Sequence, residues 1–188
     1  GAFFAGQHRN AADLLARAED AAALRSSPRR RAWVAALRAR PAAAMGDHYL
    51  SRAALERAHQ HMAAVSEPPC GTEFFDAPRL NGLAGTTYLL MSDTHRAIPL
   101  LTQARDRRAS TDAKGRALVT LDLAECHVVD HEPEEAVRLA VHALDGVDGS
   151  MVAPIVVRAR RLRAQVERWP ELSAVRELDA RLPELPGG

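Results

Sequence analysis

Four ten-residue stretches of this chain carry the same pattern: a small residue, a second small or apolar residue four positions on, and an alanine three after that. They are AADLLARAED at 11–20, SRAALERAHQ at 51–60, AIPLLTQARD at 97–106 and AVRLAVHALD at 136–145. The closing alanines Ala18, Ala58, Ala104 and Ala143 follow one another at intervals of 40, 46 and 39 residues. Positions i, i+4 and i+7 share one face of an α-helix, so each stretch predicts a helix with a stripe of small side chains. A stripe of alanine buries little area by itself. It is useful only where another helix comes close, and its recurrence predicts helix stacked on helix.

The 3.6-residue period predicts helices over 7–23, 28–45, 47–65, 76–92, 94–108, 113–130, 133–146, 151–168 and 171–182, and no run of alternating β-branched residues competes with them. Ser27 before Pro28, Asp76 before Ala77 and Pro78, and Glu132 before Pro133 mark starts; Gly46, the 146–149 loop and the PELPGG tail mark stops. Pro41 and Pro99 fall inside predicted helices and are expected to kink or shorten them. Within 113–130 the stripe is Ala117, Leu118, Leu121, Ala124 and Val128, which leaves Lys114, Arg116, Asp122 and Glu125 largely off it. The one long irregular segment is SEPPCGTEFF, residues 66–75. The chain therefore reads as a single helical-repeat domain over 1–188 with a possible break at 66–75.

Only 4% of the 188 residues are aromatic, so close helix contacts must do what large rings do elsewhere. Twenty-five basic residues stand against 24 acidic ones, and this balance generates no whole-chain field for nucleic acid. One base alone is lysine, Lys114; the arginine bias is read as codon composition. In the basic runs PRRRAW and RARRLRAQ, the arginines of the second (Arg158, Arg160, Arg161, Arg163) spread around the helix; such clusters equally suit an acidic ligand or a peptide carboxylate. No apolar stretch approaches the roughly 20 residues of a membrane span, and the opening GAFFAGQHRN is not a secretory leader. A cytoplasmic protein with reduced thiols at Cys70 and Cys126 is expected. The chain begins without Met, and it is expected to be part of something longer.

His127 and His131 in HVVDH lie one helical turn apart, as metal ligands often do, but the glutamate of HExxH is absent. Neither a metal nor a cofactor is expected. His59 and His61 are two apart and belong to different sides of a helix. Cys70 in PPCG has no neighbour that would activate it, and Cys126 is expected in the core. No phosphate loop, GxGxxG or GxSxG occurs, so an enzyme is not expected.

The small-apolar-alanine pattern resembles the second helix of a tetratricopeptide repeat. Gly85 and Tyr88 stand where that repeat's first helix carries its small residue and its aromatic, and His127 stands at the aromatic position of the next one. Over about residues 74–182, FFDAPRLNGLAG, HRAIPLLTQARD, ALVTLDLAECHVVDHEPEEAVRLAVHALD and VVRARRLRAQVERWPELSAVRELDARL resemble the tetratricopeptide-like C-terminal region of actinobacterial Xre-type helix-turn-helix transcriptional regulators. Two departures stand out: the intervals near 40 exceed the usual 34, and no DNA-reading helix-turn-helix is present. The resemblance implies an all-α, right-handed solenoid of antiparallel helical hairpins with a C-terminal capping helix. It also implies a peptide, protein or small-molecule effector on the concave face, with DNA reached only through a domain absent from this chain. By helical phase from Gly85 and Ala124, the concave-face candidates are Arg79, Thr86, Glu125 and Arg160. A homodimer through the end near Phe3 and Phe4 is compatible with this, and a free-standing interaction scaffold is the alternative.

Overall fold

The computed structural model describes residues 2–66, 75–147, 152–169 and 173–182, with the backbone alone at 2–5, 23–25, 173 and 174. Cys70, the side chains of Phe3 and Phe4, and most of the 66–75 segment thus lie outside the described residues. Among the described residues there are nine α-helices, one short 3-10 turn and no strand. The helices are α1 Ala2–Arg25, α2 Pro28–Ala44, α3 His48–Ala63, α4 Ala77–Leu90, α5 Thr94–Asp106, α6 Ala113–Val129, α7 Pro133–Asp145, α8 Ala153–Gln165 and α9 Ser173–Arg181. The protein is all-α, and every predicted helix has a counterpart.

Neither proline shortens its helix: α2 runs through Pro41 to Ala44, and α5 through Pro99 to Asp106. Pro41 lies in the last turn of α2, where the lost hydrogen bond is one of the final ones. Pro99 and the residue four before it, His95, are both exposed, so water can reach the carbonyl that the missing N–H leaves open.

The chain divides into two compact units, residues 1–93 and 94–188. In the first unit α2 is the central element, packed on α1, α3 and α4. Its contact surface is alanine: Ala32, Ala35, Ala36, Ala39 and Ala42 are all fully buried, facing Ala54, Leu55 and Ala58 of α3 in kind. Trp33, Met62 and Leu83 pack around the cluster that also holds Phe75 and Leu80. Arg29 at the start of α2 is buried and donates from Nη1 to the Phe75 carbonyl at 2.8 Å, tying the chain just ahead of α4 to α2. Glu19 of α1 is held by Arg38 of α2 at 2.6 Å and by Arg57 of α3 at 2.8 Å. In the second unit α6 is central, packed on α5, α7 and α8, while α7 also packs on α9.

Three turns are built alike. After α2, α4 and α6 the chain passes through a left-handed residue, Gly46 (φ 80°), Ser92 (φ 56°) and His131 (φ 62°), each followed by an acidic residue, Asp47, Asp93 and Glu132. In each the acidic residue donates its backbone N–H five residues back, to Ala42, Tyr88 and His127, and the left-handed residue donates three back, to Ala43, Leu89 and Val128. This pair of bonds satisfies the carbonyls that a helix end leaves open. The expected turn position of His131 is thereby met.

Because a left-handed conformation costs a non-glycine residue about 1–2 kcal/mol, Ser92→Gly and His131→Gly should each stabilise the protein by about 0.5–1 kcal/mol. Gly46→Ala should cost about 1 kcal/mol although there is open space around the site; urea midpoints of the three variants check this.

Burial opposes the charge on Glu19, but the hydrogen bonds and charges of Arg57 and Arg38 outweigh it and hold the carboxyl below its ordinary 4.5. A depressed carboxylate contributes stability above its unfolded pKa and loses it as pH falls through the folded one. Glu19→Gln should therefore cost about 1–2 kcal/mol at pH 7, and the gap between variant and parent should narrow as pH falls from 4.5 through the lowered folded value, as read by thermal melts across pH.

Candidate functional site

The described surface carries a recess of about 410 Å³ in the second unit, formed by the end of α5, the following loop, the first half of α6 and the outer side of α7. It exists because its floor is small: Ala113, Ala117 and Ala143 leave unfilled the space that larger side chains would take. Its rim is cationic. Arg105 comes from α5, Arg116 from α6, and Arg138 and His142 from successive turns of α7, against one carboxylate, Asp106. Ser110 adds a hydroxyl from the loop.

These groups differ in how far they are already engaged. Arg105 donates through Nε to Asp106 at 2.8 Å, which leaves its terminal nitrogens without a partner among the described residues. Arg138 is held bidentately by Glu135, at 2.6 Å through Nε. Arg116 makes no side-chain hydrogen bond or ion pair among the described residues, nor do Ser110 and His142. The Arg105 hydrogen bond, with the charges of Arg105 and Arg116, holds the Asp106 carboxyl below its usual range, and Arg138 does the same to Glu135. The start of α6 is closed by Asp112, which accepts from the Gly115 N–H at 2.9 Å and from Arg108 at 2.7 Å. A side chain at position 115 would push both groups aside and disturb this closure.

None of the four concave-face candidates lines this recess. Arg79 and Thr86 belong to the first unit, Glu125 and Arg160 to the second. Arg79 reinforces the start of α4: Asp76 accepts from its backbone N–H at 2.9 Å and from its Nη1 at 3.0 Å. Thr86 turns its hydroxyl back to the Gly82 carbonyl at 2.9 Å. Glu125 is held from α8, by Arg161 at 2.8 Å and by Gln165 Nε2 at 3.2 Å. Arg160 is half-buried on α8.

One helical turn before Glu125, Asp122 meets Arg158 of α8 at 2.9 Å. Asp122 and Glu125 on α6, facing Arg158 and Arg161 on α8, form a ladder of charge pairs. The sequence pattern put Asp122 off the buried stripe, yet it is 5% exposed. The reason is that α6 packs on three helices and has almost no solvent side. Of the two basic runs, the second supplies this ladder and, through Arg163, a pair with Asp179; Arg29 of the first is buried against a carbonyl. Arg138 and His142 are legible as an i, i+4 pair on α7, but nothing in sequence brings Arg105 and Arg116 to them.

His127 Nδ1 lies 2.7 Å from Glu132 Oε2, which explains why Glu132 precedes α7 without capping it. Among the described residues no group of three His, Cys, Asp or Glu is placed to hold a metal ion. No described helix is long and apolar enough to cross a membrane. Cys126 is fully buried, and burial, with the charges of Asp122, Asp130 and Glu125, pushes its thiol up to about 12. Compared with known proteins, the chain matches no family model, no curated protein and no solved structure.

Breaking the ladder on one side should be costly. Arg158→Met removes the guanidinium that faces a buried carboxylate and should destabilise by about 2–4 kcal/mol, whereas Arg158→Met with Asp122→Leu should recover at least half of that loss. Urea denaturation of the single and double variants measures the coupling.

Proposed function

We propose that this chain is the regulatory, effector-binding helical-repeat part of a helix-turn-helix transcriptional regulator. The single observation that carries the reading is the repetition of one helix-end design, the same left-handed residue followed by an acid at Gly46–Asp47, Ser92–Asp93 and His131–Glu132. Repeated hairpins with alanine seams bury their stripes against neighbours, which is the physical logic of tetratricopeptide-like solenoids. First helix beside first helix (α6 with α8) and second beside second (α7 with α9) is the stacking such a solenoid uses. A right-handed solenoid closed by α9 is the architecture we propose. The link to transcription rests on the resemblance of residues 74–182 to Xre-type regulators.

A stack of this kind answers a ligand by small shears between helix pairs. An effector that prefers one arrangement shifts the population toward it by its differential affinity, and a DNA-binding domain attached to the chain would feel that shift. The second reading is a free-standing interaction scaffold, which the same alanine-seamed helix pairs would serve equally well.

Reading the coding sequence immediately upstream of Gly1 tests the proposal. A helix-turn-helix with a polar recognition helix is the expected outcome. A start codon directly before Gly1 would sink the regulator and leave the scaffold, to be pursued by partner capture.

A further inference from the structure

We infer that the α5–α6–α7 recess is a binding site for a compact dianion, a phosphoryl group in preference to a carboxylate. The inference deepens the effector-binding reading above by naming a site and a ligand class, and it moves the site away from the face that helical phase alone selects.

Cationic groups are normally dispersed or paired at a surface, because like charges gathered around a concavity repel one another. Here three guanidinium groups from three helices line one recess whose lining holds a single carboxylate, Asp106, with the His142 imidazole beside them as a further nitrogen ligand. Simple pairing within the protein does not exhaust them: the side chains of Arg116, Ser110 and His142 and the terminal nitrogens of Arg105 make no hydrogen bond among the described residues. Donors thus stand ready on α5, on the loop after it, on α6 and on α7. Donors arriving from several sides match the tetrahedrally disposed oxygens of a phosphoryl group; a carboxylate presents two oxygens in one plane and is satisfied by a single guanidinium fork. The space of about 410 Å³ exceeds a bare phosphate and suits a small phosphorylated molecule, with Leu139 and the floor alanines beside its apolar part.

The existing pairs do not oppose this. Asp106 keeps its bond to Arg105 Nε while the other end of that guanidinium turns to the ligand, and Glu135 holds the Arg138 fork in place. Both carboxylates act as positioning groups. They restrict the rotamers of long side chains that would otherwise lose freedom on binding.

The test is calorimetric titration of the whole chain with inorganic phosphate, phenyl phosphate and succinate at constant ionic strength. Saturable phosphate binding with a dissociation constant of about 1 mM or tighter is expected, with phenyl phosphate equal or tighter and succinate at least about tenfold weaker. Arg116→Gln should weaken phosphate about tenfold or more without moving the urea midpoint, since its side chain supports no bond in the fold. Arg116→Lys should lose a few-fold only, and Arg9→Gln, in the other unit, should change nothing. Absence of saturable binding for all three probes overturns the site. So does Arg116→Gln binding phosphate like the parent, and succinate binding as tightly as phosphate overturns the ligand class. A failed titration leaves the regulator reading standing, because that falls only on the upstream coding sequence.

Discussion

Helices in this protein approach one another through alanine, and most of its other properties follow from that. A methyl group lets two backbones come closer than leucine allows, and the gain comes from many close contacts along the seam rather than from area per residue. Ala32, Ala35, Ala36, Ala39 and Ala42 on α2 and Ala54 and Ala58 on α3 are all at zero exposure, in a chain with very few aromatic rings. Such seams tolerate no growth, since an added methylene has nowhere to go without separating the helices. They also leave little bulk at the surface, and the recess above Ala113, Ala117 and Ala143 is the same economy of side-chain volume seen from outside.

With so little large apolar surface to specify geometry, polar fastenings set the register between elements. Arginine performs this work almost throughout: Arg38 and Arg57 on Glu19, Arg29 on the Phe75 carbonyl, Arg158 and Arg161 on Asp122 and Glu125, Arg181 on Asp145. Residues that look in sequence like nucleic-acid-binding runs are in good part joints between helices. The recess differs because its arginines are gathered and incompletely used.

The nine helices were legible because a 3.6-residue period is local, and starts such as Ser27–Pro28 and Asp76–Ala77–Pro78 announce themselves within four residues. The left-handed positions were half legible: Gly46 is an ordinary helix stop, while Ser92 and His131 show only through their shared place before an acid. Asp122 was misplaced because one helix's periodicity assumes one buried face, and α6 has three neighbours. The candidate site was the least legible. Arg105, Arg116 and Arg138 are separated by eleven and twenty-two residues, and their convergence depends on how three helices pack.

The α6–α8 ladder has a chemical consequence of its own. A guanidinium stays charged at any pH a cell experiences and is not a substrate for the acylation that silences lysine amines. A seam made of Arg158–Asp122 and Arg161–Glu125 is therefore deaf to mild alkalinity and to metabolic acyl donors. What still reaches it is ionic strength, which screens the more exposed Arg161 pair before the sheltered Arg158 one. Salt, rather than alkalinity or acylation, is therefore the variable that loosens this contact between α6 and α8.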